Sequence, residues 1–502
     1  MFDSPMLSLG DLLGEHYVVA VAEASASVGV PVPGEVFLPV DFYPPEKQRQ
    51  NDTLLERVGQ RVTTPFSDSI RGSGTDSFEG ALNICASPLT GIGCFRVGED
   101  GRLYLLGKSE HYHTPLGHRF GGYELIDKAK KLGILNPTHN NTRGYITRLL
   151  ETRLVEAANK SNKLNSREPK ILNRVINLET GSLAAEAGIK MMLDRFYRLD
   201  AFSATPKYSK KTPVFLVMAD KEGGFEANYH GTSVLAQTFR GLWGGFYNKA
   251  ETSGLYKTVG VKINDIGDFR EKIIEYNKDG FKTAGFLHEI ILMNYGGTRL
   301  LPEYLREAYD LCRESDTPVL IDEIQSCVWY EGMFLFLQYG LKPDFVALGK
   351  GFPGGEYPAS KIITTAEMDT LNQFGALVTN GQEELASLSY LITMAFLEAN
   401  GEMIQKLGDY FNERLGEISR KNPGVITKAE GLGHLAALHF ESAKQAADFA
   451  KKLSECCIDA SAQTYKQKCP PAVLFKPPVI ASKAVLDFML ETIERLLKTK
   501  DC

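Results

Sequence analysis

The stretch on which the reading turns is PVLIDEIQS, residues 318–326, taken with PDFVALGKGFPGG, residues 343–355. Each contains a short apolar run that ends abruptly in a polar group: Asp322 in the first, Gly349-Lys350 in the second. Strands buried on both faces read as continuous apolar runs rather than alternating ones. In open α/β sheets a ligand binds just beyond the carboxyl ends of such strands. An acid and an amine 28 positions apart (350 − 322 = 28) are therefore expected at neighbouring strand ends. Asp322 and Glu323 are adjacent, so on a strand they point to opposite faces and only one of them faces a ligand.

The same rhythm continues outward. RVINLE, VFLVMAD, YKTVGVK and AGFLHEIILM precede the aspartate run, and helical periodicity separates several of them, as in LPEYLREAYDLCRES. Strands alternating with helices imply an α/β fold with a mostly parallel central sheet and helices on both faces. We expect this large domain over residues 126–386. Residues 1–125 carry many Pro, Gly and Ser and few long periodic runs, and read as an N-terminal extension with a small sheet. Within it FRVGEDGRLYLLG (95–107) reads as a hairpin around Glu-Asp-Gly. After residue 386 the amphipathic stretch ASLSYLITMAFLEAN leads to further helices and the short runs LAALHF and AVLFKPP. A smaller α+β C-terminal domain is expected over 387–502. Its last helix has Val485, Met489, Ile493 and Leu496 at helical spacing, with Ser482 as N-cap. The polar, basic segment 160–170 reads as a surface loop.

Net charge is −6, from 56 basic and 62 acidic residues, so neither nucleic acid nor an anionic membrane is an expected partner. No apolar stretch approaches the length of a transmembrane helix. The N-terminal stretch lacks a basic start and is interrupted by Asp3, Asp11, Glu15 and Glu23, which argues against a secretory signal. Eight cysteines are scattered without zinc spacing; Cys456 and Cys457 are adjacent, Cys327 follows the aspartate run and Cys502 is terminal. They read as reduced thiols of a cytoplasmic protein.

An acid and an amine on neighbouring strands suit pyridoxal phosphate (PLP), with Lys350 forming the Schiff base and Asp322 keeping the pyridine nitrogen protonated. TGSLAAEAGIKMMLDRF (180–196) sets Gly181-Ser182 at the start of a strong helix. Free N–H groups and the positive dipole end there suit a phosphate, although the same residues read as an ordinary N-cap. NYHGTS (228–233) places Tyr229 and His230 where either ring can face a flat cofactor; a surface Tyr-His pair is the plainer reading. Glu289 is a third acid at a strand end, and Gln325 suits either a cofactor oxygen or a helix cap. GKG at 349 lacks the residues of a nucleotide P-loop, GLGHLA at 431 fails the dinucleotide fingerprint, and there is no GxSxG elbow. No metal site is expected: His111, His113 and His118 read as surface or hydrogen-bonded histidines.

Over roughly residues 95–497 the chain resembles the class III aminotransferases, which are fold type I PLP enzymes. Seven matches fall in the family's order. Thr180-Gly181-Ser182, with Glu186 and Lys190 beyond, is similar to its phosphate-binding turn. Tyr229-His230-Gly231 is similar to its aromatic-His-Gly motif, whose aromatic residue stacks on the cofactor. Glu289 matches the strand-end glutamate. Asp322-Glu323-Ile324-Gln325 matches the Asp-Glu-Val-Gln motif, with Asp322 by the pyridine nitrogen and Gln325 by the ring hydroxyl. Lys350 matches the Schiff-base lysine. Thr379 matches a threonine that reaches the phosphate of the partner subunit. Lys476-Pro477-Pro478 is similar to a C-terminal Pro-Pro segment. The resemblance implies a homodimeric, PLP-dependent transferase of fold type I that moves an amino group from an amine or amino acid to a keto acid or aldehyde. Racemisation, amino-group migration and decarboxylation use the same Lys350 and Asp322, and a non-catalytic protein can retain the fold, so these readings stay open.

The departures fall on the substrate side. Trp329-Tyr330-Glu331-Gly332 stands in place of Gly-Arg-Thr-Gly, and Thr232 stands where several members place an arginine. Glu430-Gly431 replaces Arg-Gly, Leu474 replaces an arginine before the paired prolines, and Glu383-Glu384 replaces Asn-Pro. The spacing from the glutamate to Gly-Gly near Tyr295 is one residue longer. Arg240, Arg299 and Lys476 are the basic residues left to bind a substrate carboxylate.

Overall fold

The computed structural model describes residues 1–77, 83–160, 172–463 and 468–498. Positions 161–170 of the expected basic loop, and Cys502, lie outside the described residues. Six of the apolar runs are strands of one sheet: β1 (Leu172–Leu178), β2 (Thr212–Met218), β3 (Lys257–Val261), β4 (Phe281–His288), β5 (Val319–Asp322) and β6 (Phe345–Leu348). A seventh, β7 (Ser360–Thr365), completes it. The spatial order is β1-β7-β6-β5-β4-β2-β3. Pairs among β2 to β6 are parallel, and β7 is antiparallel to both neighbours. The mostly parallel sheet expected from the alternating runs is therefore present. The run SKIITT escaped the pattern because Lys361 interrupts it. That lysine is buried, its ammonium 5.5 Å from the ring centroid of Tyr390.

Four helices bear on the site or its frame: α1 (Tyr145–Ala158), α2 (Gly181–Asp194), α3 (Pro302–Glu314) and α4 (Glu384–Lys421). α3 starts on Pro302, whose missing N–H removes no helical hydrogen bond there. It buries Tyr304, Leu305, Ala308, Tyr309 and Cys312, a stripe at helical spacing. α2 lies close on the sheet because its inner face is small. A Cβ on Gly188 would stand 2.4 Å from Leu320.

Beyond α4 a four-stranded antiparallel sheet runs in the order Ile426–Leu432, Leu435–Phe440, Ala472–Phe475, Ser461–Gln463. The helix Lys483–Lys498 buries Val485, Met489, Ile493 and Leu496, and Ser482 Oγ accepts from Val485 N–H at 3.2 Å, the expected cap. Near the N-terminus Phe95–Gly98 and Leu103–Leu105 form the expected hairpin, extended by Pro88–Ile92. Three helices, Leu9–Leu13, Glu15–Ser27 and Pro45–Leu54, precede it.

Two buried carboxylates tie these layers. Glu384 accepts from the N–H groups of Ile146 (2.8 Å) and Thr147 (3.2 Å) and from the Thr147 hydroxyl (2.7 Å), and so caps α1 from α4. Gly144 has to be glycine for that approach, since its Cβ would stand 2.1 Å from the carboxyl carbon. Glu323 points away from Asp322 and accepts from Phe336 N–H at 2.6 Å and from the Ser326 hydroxyl. Burial raises its pKa to about 7 against the pull of those bonds.

Glu384→Ala leaves two buried donors unpaired and is expected to lower unfolding free energy by about 2–4 kcal/mol in urea titrations, with Glu384→Gln losing less than half of that. Glu323 predicts a pH slope. Between the ordinary glutamate range and about 7 the folded chain keeps a proton that the unfolded chain has released, so stability falls as pH rises through that window. Thermal midpoints at pH 5 and pH 8, values chosen to span about that range, should differ less in Glu323→Gln than in the parent.

Candidate functional site

A cavity of about 360 Å³ opens at the carboxyl ends of β1, β5 and β6. Asp322, Gln325, Lys350, Gly181, Ser182 and Tyr229 all line it. The parallel register of β5 and β6 sets Asp322 opposite Ala347, so the chain reaches Lys350 three residues later at the same edge. Lys350 has φ +47, a left-handed conformation disfavoured for a residue with a side chain. Burial lowers its pKa, with Glu289 and Asp322 opposing, which keeps its amine nearer to the neutral, nucleophilic form.

Asp322 is held from two sides. Its Oδ2 lies 3.0 Å from His230 Nδ1, and its Oδ1 accepts from Ile324 N–H at 3.1 Å. Both residues are buried. Of the two rings expected to compete for the cavity, Tyr229 lines it and His230 stands behind the aspartate. The Arg240 guanidinium lies 5.1 Å from the Tyr229 centroid and backs that ring.

The turn between β1 and α2 forms the opposite wall. Thr180, at the N-cap, makes no side-chain cap bond, so the first N–H groups of α2 keep their donors for a ligand. Two glycines make room. A Cβ on Gly181 would meet Ile324 at 2.6 Å, and one on Gly231 (φ +105) would meet Ser182 Cα at 2.6 Å. Ser182 Oγ accepts from Thr232 N–H at 3.1 Å. Glu186 and Lys190 lie outside the cavity and brace its loops: Glu186 accepts from Ser233 Oγ at 2.6 Å, and Lys190 donates to Gly375 O at 3.1 Å.

Glu289 stands one layer deeper than expected, outside the lining, and accepts from Gln325 Nε2 at 2.6 Å. The other Gln325 amide atom, Oε1, is buried without a hydrogen-bond partner among the described residues. Thr379 is exposed and does not line the cavity of its own chain, while the next residue, Asn380, donates its N–H to Glu179 at 3.3 Å. Of the three basic candidates, Arg240 reaches Tyr229, and Lys476 is fully buried beneath the cavity and donates to the Gln325 carbonyl. Arg299 is not at the site. It sits on the strand Thr298–Arg299 and acts on Tyr339.

His111, His113, Glu179 and Tyr357 also line the cavity and were not anticipated there. The two histidines read from the sequence as surface or hydrogen-bonded residues, and the segment carrying them is far from β5 and β6 in sequence. His118, the third of that group, lies 3.0 Å from Glu110.

A family model described as Aminotransferase class-III matches residues 79–497. The acetylornithine aminotransferase of Aquifex aeolicus is 27% identical over 241 residues, 47% of this chain and 58% of that protein. The putrescine aminotransferase of Pectobacterium atrosepticum is 27% identical over 245 residues, 47% of this chain and 52% of that protein. The chain thus spans little more than half the length of these curated relatives. Among solved structures, adenosylmethionine-8-amino-7-oxononanoate aminotransferase from Methanocaldococcus jannaschii superposes with TM-score 0.67 at 19% identity, covering 90% of this chain and all of that one (100%). Ornithine aminotransferase from Toxoplasma gondii gives 0.66 at 20%, covering 85% and 96%. These likenesses establish the fold, and the family match, which spans well over half of the 502 residues, makes the chain a member of the class III aminotransferases.

Proposed function

We propose that this protein is a PLP-dependent transaminase, and that the carrying observation is the convergence of Lys350, Asp322, Tyr229 and the uncapped start of α2 on one cavity. The residues fit the cofactor. Gly181 and Gly231 let the backbone pack against Ile324 and Ser182 where a Cβ would clash, and the uncapped N–H groups at the start of α2 are suited to a phosphate. Gln325 Oε1 is a buried polar atom awaiting a partner. PLP, when bound, supplies a carbonyl that condenses with amines and a ring that withdraws electrons.

The chain's own residues then have distinct tasks. Asp322, oriented by His230, would hold a proton at the ring nitrogen of the cofactor. Tyr229, stiffened by Arg240, would cover a face of the cofactor ring. Ser182 and the first N–H groups of α2 would hold the phosphate, and Gln325, steadied by Glu289, would address the ring oxygen. Lys350, whose amine burial holds nearer the neutral form, would bind the cofactor carbonyl and would serve as the base that moves a proton at the reacting carbon. Substrates are an amino donor and a keto acid or aldehyde acceptor. The exposed position of Thr379 supports a role across a two-fold homodimer, where it would complete the partner's phosphate site. Cys85, Cys94, Cys327, Cys456 and Cys457 are free thiols, which supports a reducing cytoplasmic location, and no described helix is long and apolar enough to cross a membrane.

Adding PLP to the purified protein should produce a visible absorbance band that borohydride bleaches, and Lys350→Ala should lack it. A protein that stays colourless and takes up no PLP refutes the reading. A single addition of amine should convert the band to that of the pyridoxamine form; racemised substrate without that form points to the other PLP chemistries. Sedimentation should give a dimer, and Thr379→Ala should weaken PLP affinity by about 10-fold, the worth of one charge-assisted hydrogen bond, without dissociating it.

A further inference from the structure

Three ammonium groups surround one tyrosine beside the cavity. The Nζ atoms of Lys476, Lys350 and Lys108 lie 4.4, 4.9 and 5.1 Å from the ring centroid of Tyr112. Lys108, Lys476 and Tyr112 are buried. Lys108 donates to Ser461 Oγ; Lys476 donates to the Gln325 carbonyl and stands 3.6 Å over the Trp329 ring. Neither forms an ion pair with a carboxylate among the described residues; Asp459 and Glu289 act on them only from farther off. Burial and repulsion from Lys350 lower both amines, Lys108 to about 8 against the pull of Asp459, and Lys476 well below the ordinary lysine range. Like charges crowded in a dry wall are unfavourable unless an anion compensates them.

The backbone in front of these lysines is distorted. Ser109, Glu110, His111 and Tyr112 have φ of +46, +49, +58 and +70, four successive residues with side chains in the left-handed region. A left-handed turn is disfavoured for each of them and persists only where surrounding contacts enforce it. Those contacts are present: Ser109 Oγ donates to Lys476 O at 2.6 Å, and Glu110 is held by Arg96 and by His118 at 3.0 Å. The turn faces Tyr112 toward the lysines and leaves His111 and His113 on the cavity wall. Enclosure, then Lys108, Lys350 and Lys476, hold His111 down to about 3, so its ring is a neutral donor even though one side is open to the cavity. The acids nearby are already engaged: Glu110 as above, Asp322 by His230, Glu289 by Gln325, Glu179 by Asn380. Thr232, a neutral side chain bonded to Ser182, supplies no cation.

We propose that His111 and His113, backed by Lys108 and Lys476, form the site for an anionic group at the far end of the substrate, so that the protein takes amines bearing a carboxylate and rejects diamines. This rests on the transaminase reading above. The one other anion that belongs in this cavity is the cofactor phosphate, for which α2 provides the separate cradle.

The test uses the PLP-loaded protein and three chains of equal length: 5-aminopentanoate, pentylamine and 1,5-diaminopentane. The parent should prefer 5-aminopentanoate to pentylamine, with 1,5-diaminopentane poorest. In His111→Leu the kcat/KM ratio of 5-aminopentanoate to pentylamine should fall by about 10-fold, one hydrogen bond to a charged group. Lys108→Met should move the same ratio the same way. Pentanoate, which has no amine to react, should bind the parent more tightly than either variant by calorimetry. Diaminopentane used as well as 5-aminopentanoate, or equal losses for both monoamines, overturns the proposal. So does weakened PLP binding in the variants with the selectivity ratio unmoved, which would assign these residues to the cofactor phosphate. A parent that forms no cofactor band overturns the transaminase reading itself, and an intact band with unchanged selectivity overturns this proposal alone.

Discussion

The parallel pairing of β5 with β6, Asp322 opposite Ala347, is the constraint from which the site follows. Two buried strands in this register end at one edge, and the groups just past their ends have to share the space there. Gly349 is confined between Ser360 and Gly181, at 3.3 and 3.7 Å from its would-be Cβ, so the lysine after it has little choice of path. Its φ of +47 is the local consequence. A slip of one residue would carry Asp322 to the face now held by Glu323, where the donors are the Phe336 N–H and the Ser326 hydroxyl. The return of the chain as β7, antiparallel to β6 and β1, closes the loop that carries Lys350 and fixes the first turn of α2 nearby.

Around that edge the structure carries an unusual weight of buried polarity. Asp322 with His230, and Glu289 with Gln325 and then Lys476, form short chains of hydrogen bonds in a medium where each bond is strong and each unmet group is expensive. Glu384 repeats the device at the frame, where it joins α4 to α1. Such groups orient one another more than they stabilise the fold. Orientation is what a site needs when a proton is to be held at one atom and moved at another.

The substitutions that set this chain apart from its family's pattern acquire physical roles. Glu384, in place of the usual proline, is a helix cap. Thr232, in place of an arginine, braces the turn between β1 and α2. Trp329 packs against Gly351, whose Cβ would stand 2.8 Å from the indole, and offers its ring to Lys476. The cations that remain near the cavity are thus lysines around Tyr112 and an arginine over Tyr229.

Six of the seven sheet strands, the hairpin, the last helix and the cap at Ser482 were legible in the sequence, because apolar period and turn chemistry are local properties. So were the strand-end acid and amine and the glycine-serine turn, since each announces itself where an apolar run stops. β7 was hidden by Lys361, a charge buried against an aromatic ring. The choice between Tyr229 and His230, the depth of Glu289 behind Gln325, and the distance of Arg299 from the cavity were not legible. Each depends on which face a loop turns inward, and neighbouring elements decide that. His111 and His113 show the limit most plainly. Their place on the cavity wall follows from a left-handed turn that no local preference favours. The sequence by itself determined the sheet and the chemistry at its edge, through patterns within a few residues. Only the tertiary structure decided what surrounds that edge, because contacts between distant segments outweigh the local preferences of the chain.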